Sequence, residues 1–348
     1  MEVHMKGYKA LNMDMSSAYG DMVYEIGKKY TIAGQLKLNE NGFHFCKCLE
    51  DIELYYKIAE SRIFEIEADG KIIDGNIKFC AESIMLMREL SKEEIHQYFI
   101  DNQESLLYKF WYRKALAGQG LCLDKLVNDE NLYVRIAVAK QGYDLETLIH
   151  DEDPWVRAAI AQQGYDLKTL INDENPYVRM EVAKQGYGLD ILIHDENYCV
   201  RAAVAKQGYN LNILVKDENP FVRMTVAEQG YGLDELIHDE NWCVRREVAE
   251  QGHGLNILTH DKNEFVRAAV AEKGYNLDIL VHDLNSEVRK AVANQGFGLD
   301  ILTYDKSPFV RAAVAEKGYN LDILIHDKAD FVREIVIHQM YEKNKNNK

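Results

Sequence analysis

Apolar positions in the second part of the chain follow a single helical pattern that returns every 22 residues. Between Asp151 and Asn172, Val156, Ala159 and Ile160 stand at i, i+3 and i+4, which puts them on one face of a helix. Asp153 can cap that helix, Pro154 suits a first turn that needs no N–H, and Gly164 can take the left-handed conformation that ends it. Leu167, Leu170 and Ile171 repeat the spacing after Asp166, with Gly188 and Asn210 at the same cap position in later units, so a second, shorter helix is expected. All four prolines, Pro154, Pro176, Pro220 and Pro308, fall at the same first-turn position, as they would if a helix starts there. Alanine recurs in every unit from Ala139 to Ala315, where neighbouring helices are expected to approach closely.

Polar positions keep the same period. Arginine recurs as Arg135, Arg157, Arg179, Arg201, Arg223, Arg245, Arg267, Arg289, Arg311 and Arg333. Each is preceded by an aspartate: Asp129, Asp151, Asp173, Asp195, Asp217, Asp239, Asp261, Asp283, Asp305 and Asp327. Tyr112-Arg113 and Gly120 extend the register backwards, with Leu107 where the aspartate would stand, as suits a repeat that caps the stack. One unit buries too little apolar surface to fold alone, so stacking must complete the core. The unit Asp-Glu-Asn-Pro-x-Val-Arg-x-x-Val-Ala-x-x-Gly resembles a shortened HEAT-type repeat and is similar to the leucine-rich repeat variant over about 120–338. The resemblance implies an α-solenoid of about ten to eleven repeats that serves as a binding scaffold. That family's pattern includes a cysteine cluster for iron and sulfur ahead of the repeats; only Cys46-x-Cys48 and Cys80 precede them here, so no cofactor is carried over.

Residues 1–90 lack the period. Tyr24-Glu25-Ile26, Gly42 to Cys46 and Arg62 to Ala68 read as strands, the last with Phe64, Ile66 and Ala68 inward. Leu54, Tyr55 and Ile58 suggest one helix within 50–60, Gly70 and Asp74-Gly75 suggest turns, and Ser91-Lys92-Glu93-Glu94 is a capping box that opens a helix. The fold class is therefore an α+β N-terminal domain followed by an all-α solenoid. Boundaries are expected at 1–91 for the small α+β domain, 92–120 for a helical connector and capping repeat, 121–340 for the solenoid and 341–348 for a disordered polar tail. Gly-Phe-His-Phe-Cys and the following strand are similar to a small domain of uncharacterised function found in phage, prophage and low-GC bacterial proteins, over roughly 5–92. The order strand, Gly-Phe-His-Phe, helix, Phe-Glu-Ile-Glu-Ala-Asp-Gly is also similar to the ADP-ribosyltransferase fold, although the glutamate-centred and Ser-Thr-Ser motifs of active members are missing.

Charge narrows the function. The chain has 41 basic and 57 acidic residues among 348, a formal charge of -16, which disfavours direct nucleic-acid binding through phosphates. Residues 1–120 carry 15 basic and 19 acidic side chains and residues 121–348 carry 26 and 38, so the acidity is concentrated in the repeats. No apolar run approaches the roughly 18 residues of a membrane helix, the N-terminus lacks a secretory profile, and the six cysteines show no framework spacing. A cytoplasmic location is expected, with no membrane association.

Among candidate sites, the Arg and Asp rows are expected to be an architectural ladder. Six histidines, His150, His194, His238, His260, His282 and His326, stand one repeat apart, too far to converge on one metal. Asp-Glu-Asn in the loops that carry it, such as 173–175 and 195–197, is explained by helix capping, and the Tyr143, Tyr165 and Tyr187 row by packing over the glycine turn. Cys199 and Cys243 fall in the row of Tyr133, Trp155, Tyr177 and Phe221 and are expected in the core. The row beside the aspartate is more informative: Glu130, Glu152, Glu174, Glu196, Glu218 and Glu240, then Lys262, Leu284, Lys306 and Lys328. Capping alone does not ask for that change of sign, so the glutamates are the preferred binding surface, suited to a protein partner with a basic surface. No catalytic, cofactor or metal motif is present. The expected function is a non-enzymatic, acidic, protein-binding scaffold; with the phage resemblance, it would inhibit a nucleic-acid-binding host defence factor. The alternatives are a nucleotide-handling, ADP-ribosyltransferase-like N-terminal enzyme whose solenoid selects the target, and a structural spacer.

Overall fold

The computed structural model describes residues 4–17, 22–32, 34–38, 40–56, 58–108 and 112–346. The chain divides into two compact units, Met1–Tyr165 and Asp166–Lys348.

In the first unit an antiparallel sheet comprises β1 (Met5–Leu11), β2 (Lys29–Thr31), β3 (Phe43–Cys46), β4 (Arg62–Gly75) and β5 (Lys78–Glu89). The order is β2-β5-β3-β1-β4, and β5 pairs with β4 as well, which closes β1, β3, β4 and β5 into a small barrel. Phe64, Ile66 and Ala68 point inward, as their alternation predicts, and meet Leu11, Phe43, Phe45, Phe79, Ile84 and Leu86 in the core. Gly7 lets β1 approach β3: a Cβ there would lie 2.5 Å from the Cys46 carbonyl oxygen.

Several expectations change here. Tyr24 to Ile26 form isolated bridges at most, and the short β2 strand lies just beyond them. Gly70 does not end a strand; β4 runs on to Gly75 with a register shift between Asp69 and Ile72, and the hairpin turns after Gly75. The single helix within 50–60 is two 3₁₀ segments, Glu50–Leu54 and Ile58–Glu60. The capping box is formed: the Ser91 hydroxyl accepts from the Glu94 N–H, and the Glu94 carboxylate accepts from the Ser91 N–H, opening α1 (Lys92–Leu107). The Tyr98 hydroxyl on α1 donates to Glu50, and Tyr112 donates to Asp51 at 2.5 Å just before α2 (Arg113–Gly118). The connector is thereby hydrogen-bonded to the first 3₁₀ segment.

The repeats follow the sequence pattern closely. Helices begin at Pro154, Pro176, Pro220 and Pro308, and in the 154 unit Asp153 accepts the Trp155 N–H at 2.8 Å. Val156, Ala159 and Ile160 are buried, as are the recurring alanines. Gly164, with φ +73°, ends the long helix. Four-residue helices such as Leu167–Leu170 and Leu189–Leu192 follow. The residue ahead of these short helices acts differently from a side-chain cap: Asp144, Asp166, Gly188 and Asn210 have φ between +37° and +60°. Of the residues in this row, only Asp166 accepts a backbone N–H from its short helix. The position selects Asp, Asn and Gly for the left-handed backbone, which other side chains adopt at a steric cost.

Two further expectations fail. Cys199 and Cys243 are not core residues; both are half-buried thiols in the first helical turn, in a row where Trp155 is 54% exposed. The first turn carries the loop edge, and the apolar stripe begins only with the valine after it. The expected polar tail is helical as far as it is described, since the last helix runs Asp330–Asn346; residues 347 and 348 lie outside the described set. The Lys343 ammonium donates to the Gly318 carbonyl at 3.0 Å, satisfying a carbonyl at the preceding turn.

Candidate functional site

From Arg179 to Arg311, each ladder arginine starts one turn inside its long helix and reaches back to its own loop and forward to the next. In the second unit the Arg201 Nη1 donates to the carbonyl of Asp195 at 2.8 Å, while Nε and Nη2 fork onto Asp217 at 2.6 and 2.8 Å. Asp217 also accepts the N–H of Asn219 at 2.8 Å, so one carboxylate fixes both the loop and its neighbour. The same fork joins Arg179 to Asp195, Arg223 to Asp239, Arg245 to Asp261, Arg267 to Asp283, Arg289 to Asp305 and Arg311 to Asp327. In the first unit Arg113 pairs with Asp129 and Arg135 with Asp151. Arg333 donates to Asp330 and to the Asp327 carbonyl. The pairs are almost buried. Burial pushes the Asp261, Asp283 and Asp305 carboxyls up, but the arginine fork and a backbone N–H outweigh it and hold them below the usual carboxylate range.

The glutamate row lies immediately outside this ladder. Glu196, Glu218 and Glu240 have side chains 88–91% exposed, with carboxylates 3.5–3.6 Å from Arg179, Arg201 and Arg223. In the first unit Glu130 and Glu152 take the same place beside Arg113 and Arg135. Because one arginine is shared between an aspartate and the glutamate beside it, each such set leaves a net charge of about -1 at the loop edge. Glu174 shares the row, which turns to Lys262, Leu284, Lys306 and Lys328 later in the second unit.

Alongside the glutamates run aromatic side chains in the first helical turns. Tyr198 meets Phe221 of the next unit edge-on with ring centroids 5.9 Å apart, and Trp242 meets Phe265 at 5.2 Å. This pairing gives a physical content to the 44-residue alternation visible in Asn197 to Arg201 and Asn241 to Arg245. Where cysteine holds the second helical position, the aromatic moves to the first and packs on the next unit's ring. The six histidines are exposed, and among the described residues no group of three or more His, Cys, Asp or Glu side chains converges as metal ligands would. Of the tyrosines after the glycines, Tyr165 and Tyr209 are half-buried, whereas Tyr143, Tyr187, Tyr231, Tyr275 and Tyr319 are 38–42% exposed, so packing over the turn covers only part of each ring. One further row escaped the sequence reading: Gln141, Gln207 and Gln295 donate to the carbonyls of Gly118, Lys184 and Glu272 in the preceding unit. The recurrence of glutamine before the glycine was its visible signal.

A second candidate lies in the N-terminal domain, where a cleft of about 560 Å³ is lined by Lys9, Tyr24, His44, Tyr55, Tyr56 and Lys78 among others. Lys9 comes from β1 and points inside, only 6% exposed; its ammonium donates to the His44 carbonyl at 2.9 Å and sits 5.2 Å from the Tyr24 ring centre. Lys78, at the start of β5, lies 5.1 Å from the Tyr55 ring centre. Burial drags Lys9 down to about 8, and burial together with both lysines brings His44 to about 4, so at neutral pH the lysine is charged and the imidazole is not. Tyr24 is pushed up to about 12, chiefly by burial.

Residues 5–98 match the model of a domain of unknown function, DUF7666. No curated protein matches the chain. The DUF7666 segment contains every strand and every cleft residue named above. It also runs into α1 as far as Tyr98, whose hydroxyl donates to Glu50. The repeats lie outside the DUF7666 match. No helix among the described residues is long and apolar enough to cross a membrane.

Proposed function

We propose that the chain is a non-enzymatic binding scaffold whose second unit captures a protein with a basic surface along Glu174, Glu196, Glu218 and Glu240. The supporting observation is the exposure of these carboxylates in register outside a neutral Arg–Asp ladder, with the sign of the row changing at Lys262. Aligned charges separated by one repeat attract an extended basic surface more strongly than any single pair, and the neighbouring Tyr198, Phe221, Trp242 and Phe265 rings offer faces for cation–π contact. The resemblance of the first domain to phage and prophage proteins extends the proposal: the carboxylates would stand in for phosphates and block a nucleic-acid-binding host defence factor. Titration of the whole chain with a fluorescent lysine- and arginine-rich peptide tests the surface. Binding that weakens with salt and is lost on neutralising the row supports it; binding indifferent to both refutes it. The second reading, an ADP-ribosyltransferase-like activity in the first domain, is favoured only by the cleft around Lys9.

A further inference from the structure

We propose that the cleft of the DUF7666 segment binds a phosphomonoester, its phosphate held between Lys9 and Lys78 and its organic part against Tyr55 and Tyr56. This goes beyond the scaffold reading, which makes no use of the cleft.

The cleft carries an unbalanced positive charge. A lysine almost never lies inside a protein unless its ammonium is paired. Lys9 is buried, yet its hydrogen-bonding partner is a single carbonyl oxygen and its other neighbour is the face of Tyr24. Among the described residues no carboxylate pairs with Lys9 or with Lys78. Glu40, the carboxylate that lines the cleft, is engaged by Lys37 at 2.9 Å. An ammonium offers three donors, so at least two of Lys9's are left for a ligand. Burial and both lysines disfavour the protonated form of His44, so the imidazole adds no third charge to the cleft.

The space has the size and the chemistry of a ligand site. Its volume falls within the range of small-molecule pockets, and its lining combines aromatic faces with a few convergent polar groups. A narrower cavity of about 10 Å³ shares Lys9, His44, Lys78, Tyr55 and Tyr56 with the main cleft and is large enough for one oxygen-sized group. A phosphate dianion matches two ammonium groups in charge, and its several oxygens can accept from both at once. A monocarboxylate would leave one ammonium uncompensated. The phosphate can belong to a nucleotide or to a sugar, and the aromatic lining favours the first, since a planar base lays a larger flat face on tyrosine than the C–H groups of a sugar do.

The test uses the full chain and calorimetric titration with inorganic phosphate, ribose 5-phosphate, adenosine and adenosine 5′-monophosphate. Binding of the two esters, with adenosine weaker than its monophosphate by at least tenfold, supports the site. Tighter binding of the nucleotide than of the sugar phosphate assigns the ring to the tyrosines, and the reverse order assigns the sugar ester as the ligand class. Lys78→Gln, at the half-buried rim, should weaken ester binding at least tenfold while the thermal unfolding midpoint stays within a few degrees. Lys9→Met should abolish binding without unfolding the domain. No binding of either ester, equal binding of adenosine and its monophosphate, or full binding by both variants would overturn the proposal. The glutamate row is untouched by these variants, so peptide capture by the second unit is read separately.

Discussion

Arg201 holds Asp217, sixteen residues further on and in the next repeat, through two parallel hydrogen bonds of 2.6 and 2.8 Å. Removing the guanidinium would leave an almost buried carboxylate facing its own loop with only a backbone N–H. Arg201→Ala is therefore expected to cost about 2–4 kcal/mol, whereas Lys206→Ala, on the exposed face, should cost under about 0.5 kcal/mol. Urea unfolding of both variants checks this, and equal small losses would mean that the fork contributes packing alone.

The ladder also sets an acid limit. Asp261, Asp283, Asp305 and Asp327 have carboxyls held below their ordinary value, the last mainly by Arg311. A depressed acid contributes stability that is present above the unfolded value, near 3.9, and is lost as pH falls through the folded value. The urea midpoint should therefore stay level between about pH 7 and 5 on account of these groups and fall below about pH 4. A midpoint that is unchanged at pH 3 would contradict the assignment.

Capture of a basic partner should depend on the sign and place of charge. Replacing Glu174, Glu196, Glu218 and Glu240 by Gln is expected to weaken binding of a basic peptide more than tenfold, although an exposed pair is worth less than about 1 kcal/mol each. Lys306→Gln and Lys328→Gln should change it little. Raising salt from 50 to 150 mM, where the screening length reaches about 8 Å, should weaken the parent and leave the quadruple variant nearly unaffected.

Lys9 predicts a stability difference that shrinks with pH. Its folded value near 8 lies below the unfolded value near 10.4, so below pH 8 the domain carries the whole penalty of a buried charge, and the penalty fades as pH rises toward 10. Cys46 and Cys80, whose thiols burial pushes up, change stability in the opposite direction over this range and are common to both chains. The unfolding midpoint of Lys9→Met should thus exceed that of the parent at pH 7, and the gap should narrow by pH 10. A gap constant across that range would place the Lys9 ammonium in solvent.

Local chemistry made the repeats legible. Proline tolerated only in a first turn, glycine where the backbone turns left-handed, and valine, alanine and leucine at helical spacing each report on a few neighbouring residues, and their recurrence at 22 residues turns a weak local signal into a firm one. The Ser91–Glu94 capping box was readable for the same reason. The row of glutamates and its change of sign could also be read directly, although its position outside a neutral ladder could not. Which aspartate each arginine takes is a tertiary matter, because stacking brings the loop sixteen residues ahead within reach of Nε and Nη2, while the nearer aspartate offers its carbonyl. The N-terminal cleft lay furthest from view. The Met5–Leu11 strand buries a lysine where alternation asks for an apolar side chain, and Lys9, His44 and Lys78 meet only when β1, β3 and β5 close into a barrel. Sequence determined the helices, whose hydrogen bonds and caps are local; tertiary structure alone decided the strand pairing and the cleft, because those contacts join residues tens of positions apart.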